Sequence, residues 1–185
     1  MRSWARIATR SRVPLGFVFA AGYLWFAGPA WPWVVAGSVF VVAGLAVRAA
    51  ASGHIRKNAE LATTGPYAHT RNPLYLGSIL IAVGFVVAAR NIWIALATIL
   101  MFMTIYIPVI RAEEANLRST FAGYDEYAAQ VPRFFPRLSP HRSAPPDFSA
   151  GYSRELYMRH REYNAALGAA LRMGALILKM LVVRR

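Results

Sequence analysis

The sequence predicts an all-α fold: an integral membrane helical bundle of about four spans, plus a C-terminal helix that is amphipathic or membrane-embedded. Three observations predict it. No Lys, Arg, Asp, Glu or His occurs between residues 13 and 47, a run well beyond the roughly 20 residues that cross a hydrocarbon core. A second apolar stretch, residues 74–110, is interrupted only by Arg90 and Asn91. Hydrophobic residues make up 57% of the chain and charged residues only 16%, against roughly 25% charged in soluble domains.

The first stretch is too long for one span and must fold back. Gly28, Pro29 and Pro32, flanked by Trp25, Trp31 and Trp33, supply the turn, because proline disrupts helical hydrogen bonding and tryptophan favours the interface. Span one is expected over 13–27, as a retained span rather than a cleaved leader, and span two over 32–47, continuing helically past Arg48. The second hairpin gives a short third span from Leu74 and a fourth over 92–110, which Pro108 bends. Residues 111–127 are expected to be helical, 133–147 an irregular linker, and the region from Tyr152 onward a final helical segment. Arg172 and Lys179 fall seven residues apart in that segment, on nearly one helical face. A charge at mid-membrane costs a few kcal/mol, so an interfacial helix is favoured there over a fifth free span.

The net charge of +13 invites a nucleic-acid reading. The placement of the charges argues against it, since they crowd into the connections on one side of the hairpins. By the positive-inside rule that side is cytosolic, together with the N-terminus, and only Arg90 faces the other way. A multi-pass protein of the inner, cytoplasmic membrane is the corresponding location in a bacterium, with membrane lipids as partners. The chain has no cysteine, which removes thiolate chemistry and cysteine-held metals. His54, His69, His141 and His160 form no close pair, and no metal site is expected.

Chemistry-bearing residues concentrate just before the third span: Gly65, Pro66, Tyr67 and His69, then Arg71, Asn72, Pro73 and Tyr75. The fourth span delivers Glu113 and Glu114 to the same side. Arg71 suits a carboxylate or phosphate, and the glutamates an ammonium. Pro73 fits the first helical position, where its missing N–H costs nothing, with Asn72 as the helix entry. A plain reading stands beside each: Arg71 as a headgroup contact, Asn72-Pro73 as a cap, and Glu114 paired with Arg118. Neighbouring glutamates also point about 100° apart on a helix, so they do not by themselves make a paired-carboxylate site.

The ordered run Glu60-Leu61, Gly65-Pro66-Tyr67, Arg71-Asn72-Pro73, Tyr75 and Gly77, followed by Glu113-Glu114, Leu117, Phe121, Gly123-Tyr124 and Tyr127, resembles the isoprenylcysteine carboxyl methyltransferase family and its phospholipid methyltransferase relatives. The resemblance covers roughly residues 54–136. It implies S-adenosylmethionine as methyl donor and a cytosolic pocket open laterally to lipidic acceptors. Carried over by position, Gly65, Pro66, Tyr67, His69, Arg71, Asn72, Pro73 and Leu76 form much of the cofactor pocket, with Glu113 and Glu114 closing it. Arg71, Tyr75 and Glu114 stand nearest the transfer region. Asn72 departs from the histidine frequent at that position.

A carboxylate acceptor needs no base, whereas an amine, phenol or hydroxyl must lose a proton. His69, Glu114 and Tyr75 are the candidate bases, in that order. The acceptor is expected to be a small lipophilic or amphiphilic molecule entering from the bilayer. Residues 1–140 are read as the methyltransferase core and 141–185 as a helical extension covering or flanking the site. An NADPH-dependent reductase of the sterol reductase type and a non-catalytic membrane assembly protein are the competing readings.

Overall fold

In lipid an apolar run has no water to bond its backbone, so it folds as helix and satisfies its N–H and C=O groups internally. The computed structural model describes residues 16, 18–56, 59–141 and 151–183. Among them every regular element is helical. Helix α1 occupies 18–26, α2 Trp31–Ser52, and a 3-10 turn Gly65–Ala68 precedes α3, Pro73–Ala89. Helix α4 runs Ile92–Thr120, followed by α5 at Tyr124–Gln130, α6 at Arg154–Arg159 and α7 at Tyr163–Val183. Helices α2, α4 and α7 are long and apolar enough to cross a membrane, and α3 is a shorter apolar helix. Val39 and Val42 on α2, and Leu96 and Leu100 on α4, are exposed, which suits lipid as the surrounding solvent. The protein is a multi-pass, all-α integral membrane protein. The expected start of span one and the arginine-rich segment before it lie outside the described residues, as do residues 142–150 of the expected linker.

Helix continues past Ile110 as expected for residues 111–127, but with a break, α4 ending at Thr120 and α5 starting at Tyr124. The disturbance expected at Pro108 is a π-helical segment, Phe102–Tyr106, just upstream, where the Ile107 N–H bonds the Phe102 carbonyl five residues back. Widening the ladder before the proline accommodates its missing donor without ending the helix. The C-terminal region is two helices rather than one, because Arg161 adopts a left-handed backbone (φ 53°) between α6 and α7.

The chain divides into two compact units. The first comprises Met1–Phe40, Ala82–Asn116 and Ala170–Arg185. The loops after α1 and α3 are stitched together there: Gly28 N–H donates to the Ala89 carbonyl at 2.9 Å, and Asn91 Nδ2 donates to the Phe26 carbonyl at 2.9 Å. The Asn91 Oδ1 also caps α4, accepting from the Trp93 and Ile94 N–H groups. Lys179 answers part of the electrostatic objection to α7 as a span. Its ammonium donates to the carbonyls of Leu24, Trp25 and Ala27 at 2.8, 2.9 and 2.7 Å. The last carbonyls of a helix lack intrahelical donors and carry the negative end of its dipole, so the end of α1 is where a cation in an apolar helix is best satisfied.

The second unit comprises Val41–Ile81 and Leu117–Ala169. Helices α2 and α3 touch backbone to backbone within it: a Cβ on Gly44 would stand 2.5 Å from the Gly77 carbonyl oxygen. Small residues permit such close approach where lipid tails supply no hydrophobic drive for helix association.

Candidate functional site

The sequence motif before α3 lies wholly in the second unit. Gly65 opens the 3-10 turn with φ 57°, a left-handed conformation that side chains disfavour. The His54 ring closes the space above it, since a Cβ on Gly65 would meet His54 Cδ2 and Nε2 at 2.5 Å. Pro66 stands in the first turn of the 3-10 helix, and its carbonyl accepts from the His69 and Thr70 N–H groups at 3.2 Å. Pro73 then starts α3, with Leu76 N–H donating to the Asn72 carbonyl.

Residues 68–72 are laced to the segment that follows α5. Arg71 N–H donates to the Pro132 carbonyl at 2.9 Å, Arg137 N–H to the His69 carbonyl at 3.0 Å, and His141 N–H to the Ala68 carbonyl at 2.8 Å. Side chains add to this: Thr70 Oγ1 and Asn72 Nδ2 both donate to the Arg133 carbonyl. The His69 Nδ1 lies 2.8 Å from the Arg137 carbonyl. A carbonyl only accepts, so Nδ1 carries the proton and the ring's lone pair resides on Nε2.

Beneath this lacing Tyr124, Tyr127 and Val131 form a buried cluster with Leu61, Leu117 and Phe121 around it. Tyr127 donates its hydroxyl to the Tyr67 carbonyl at 2.7 Å. Burial pushes the Tyr127 phenol far above its ordinary range, and neighbouring Tyr124 adds to the shift while the Arg71 guanidinium partly offsets it. The hydroxyl therefore stays a donor. Arg118, one candidate partner of Glu114, forms an ion pair with Asp125 and lies over the Tyr124 ring.

Of the expected site residues, Tyr67, Asn72 and Pro73 are buried, Gly65 is exposed, and Pro66, His69, Arg71, Tyr75 and Leu76 are half-buried. Glu113 and Glu114 belong to the first unit. Adjacent on α4, they diverge as helical geometry requires: Glu113 is exposed, whereas Glu114 is 5% exposed. A carboxylate is rarely held so deep unless its environment is built for it.

Sequence reasoning missed a second polar centre in the same unit as the motif. Arg48 on α2 forms a bidentate pair with Glu162, with three contacts of 2.8–3.0 Å. Its Nη1 also donates to Ser78 Oγ at 2.6 Å and to the Leu74 carbonyl at 3.3 Å. Its aliphatic stem crosses Gly77, whose Cβ would lie 2.6 Å from Arg48 Cγ. Thus the first turns of α3, immediately after Arg71-Asn72, are gripped from α2 and from the residue preceding α7. Further contacts run along the end of α2: His160 Nδ1 lies 3.2 Å from the Ser52 carbonyl, and Ser153 N–H donates to the Gly53 carbonyl at 2.9 Å. A lone arginine in an apolar helix was the visible signal. Its partner, 114 residues away, left none.

Residues 19–123 match the phospholipid methyltransferase family. The match takes in more than half of the chain, including the Gly65 motif and both glutamates. Over 88 residues the chain is 43% identical to the nickel-cobalt-cadmium resistance protein NccN of Alcaligenes xylosoxydans xylosoxydans, covering 48% of this chain and 41% of that protein. Over 87 residues it is 40% identical to the cobalt-zinc-cadmium resistance protein CzcN of Cupriavidus metallidurans, covering 47% and 40%. The chain therefore spans about two fifths of the length of these curated relatives, both named for metal resistance. No solved structure matches it. A membrane-embedded helical chain whose motif-bearing portion falls inside the matched region belongs to the phospholipid methyltransferase family.

Proposed function

We propose that the protein transfers a methyl group from S-adenosylmethionine to a small lipophilic or amphiphilic acceptor at the cytosolic membrane face. The observation that carries this reading is the family match over residues 19–123, which contains the polar residues before α3 and at the end of α4. Residues 1–140 serve as the core and 141–185 as an extension flanking the site. Four spans, with α7 as a further membrane-embedded helix, complete the topology.

The residues present fit the donor's charges. S-adenosylmethionine bears a carboxylate, an ammonium and a sulfonium, and when bound it supplies an electrophilic methyl group. In this reading Arg71 receives the carboxylate and Glu113 or Glu114 the ammonium. The left-handed turn at Gly65, with Pro66, Tyr67, Asn72, Pro73 and Leu76, shapes the pocket wall. Tyr75 stands beside the transfer region. His69 serves as proton acceptor through Nε2, because its Nδ1 proton is committed to the Arg137 carbonyl. Rate enhancement comes chiefly from holding donor and acceptor in line and out of water.

The test is incorporation of labelled methyl from S-adenosylmethionine into lipid extracts by the detergent-purified protein. Glu114→Gln is expected to lower turnover by about 10²-fold or more, the scale of losing one electrostatic contact in a desolvated site, while the thermal unfolding curve stays near that of the parent. Unchanged turnover in the variant would remove Glu114 from the site. The names of the two relatives favour a second, compatible reading, in which the methylated product contributes to metal tolerance. Loss of tolerance on deletion of the gene, restored by the parent but not by the Glu114→Gln variant, would join the two readings.

A further inference from the structure

Residues 131–141 carry a feature that the methyltransferase reading does not use. This segment is irregular but held at three places. Pro132 and Arg133 bond to Arg71, Thr70 and Asn72; Arg137 bonds in both directions to His69; and His141 bonds to Ala68. Two short arches are left between these anchors, residues 134–136 and 138–140, each ending in a proline, Pro136 and Pro140, that restricts the backbone. Each arch presents one large apolar side chain to the outside. Phe135 is 88% exposed and Leu138 is fully exposed at 101%. Arg133, which is exposed, and Arg137, half-buried with its Nη1 donating to the Gln130 carbonyl at 3.0 Å, flank them, and the segment contains no acidic residue.

A single exposed apolar side chain needs no explanation. Two of them on anchored arches, beside two arginines, describe an amphipathic surface that is fixed in place. Its height is fixed as well. The anchors Arg71 and Asn72 immediately precede Pro73, the start of α3, and no charged residue follows until Arg90. The charge-free apolar run begins at that point, so the arches are anchored at its polar edge.

We propose that the 131–141 segment is a membrane-docking strap, in which Phe135 and Leu138 insert at the headgroup–acyl boundary and Arg133 and Arg137 engage anionic lipid. Apolar side chains that penetrate this boundary and cations that meet anionic headgroups reinforce one another. Because the strap is bonded residue by residue to 68–72, its seating on the bilayer also fixes the motif loop against the surface from which a lipophilic acceptor arrives.

The chain has no cysteine, so Leu138→Cys provides a unique site for an environment-sensitive fluorophore on the full-length protein. Phe135→Cys is a second such position, and Glu126→Cys, on the charged and exposed surface of α5, is the aqueous reference. In nanodiscs holding one chain each and containing phosphatidylglycerol, the labels at 138 and 135 are expected to show blue-shifted emission and a several-fold loss of iodide quenching relative to the reference. Both effects should shrink in phosphatidylcholine discs and when Arg133 and Arg137 are replaced together by glutamine. Labels at 138 and 135 as open to iodide as the reference would overturn the proposal. Protection equal in charged and uncharged discs would overturn the anionic-lipid assignment, and protection that requires two chains per disc would reassign the surface to self-association. None of these readouts depends on methyl transfer, so the strap and the enzymatic reading fail separately.

Discussion

Arg48→Ala is expected to destabilise the protein by up to about 3–5 kcal/mol, the cost of leaving one member of a buried, hydrogen-bonded pair without its counter-charge, here in a pair that is partly buried. The side chains of Arg48 and Glu162 are only 22% and 13% exposed, so solvent does little to screen the orphaned carboxylate. Thermal unfolding, followed through the five tryptophans, should shift downward by roughly 6–20 °C at the usual 2–4 °C per kcal/mol for a chain of this size. A rescue is also expected. Pairing Arg48→Met with Glu162→Leu removes both charges, and Ser78 keeps its own bond to the Leu74 carbonyl at 2.9 Å. The double variant should recover most of the loss, because well-packed apolar replacements of a buried pair are often neutral. A single variant that unfolds within about 2 °C of the parent, which corresponds to less than about 1 kcal/mol, would show that the bridge contributes little.

Gly65→Val is the second large effect, and it separates two causes. The backbone at φ 57° is a genuine outlier for a β-branched residue, and the added Cβ collides with the His54 ring. Conformational strain of about 1–3 kcal/mol adds to an overpacking cost of similar size. The expected result is loss of donor binding and a lower unfolding temperature. Adding His54→Ala relieves the collision and leaves the strained backbone, so it should restore only part of both properties. Full recovery would show that sterics alone select glycine there. No effect of Gly65→Val would mean that the turn adjusts freely and is not the rigid wall proposed.

Membrane embedding, the helix breaks and the position of the motif were legible because each is written in contiguous residues: charge-free runs, the Gly28-Pro29 and Arg90-Asn91 breaks, and Pro73 at the first helical position. The helix past Ile110 was legible too, since residues 111–120 propagate α4 at no nucleation cost; its break between Thr120 and Tyr124 was less so. Arg161 gives no composition signal of its left-handed turn. The least legible contacts join residues far apart in sequence, such as Arg48 to Glu162, Lys179 to the end of α1, and the lacing of 68–72 to 132–141. Two of these involve a charge in an apolar helix. Sequence marked Arg172 and Lys179 as an obstacle to a fifth span, but the carbonyls at 24, 25 and 27 that accommodate Lys179 are visible only once the fold is known. In the proposed site the residue types were readable, and the His69 tautomer was not, because it is set by a carbonyl 68 residues away.

A methyltransferase must bind its methyl donor. Titration calorimetry of the detergent-purified chain should show saturable, micromolar binding of S-adenosylmethionine and of its demethylated product, and no heat from NADPH beyond dilution. Binding of NADPH alone would contradict the methyltransferase reading in favour of a reductase, and a folded protein that binds none of the three would move it to a non-catalytic role in the membrane.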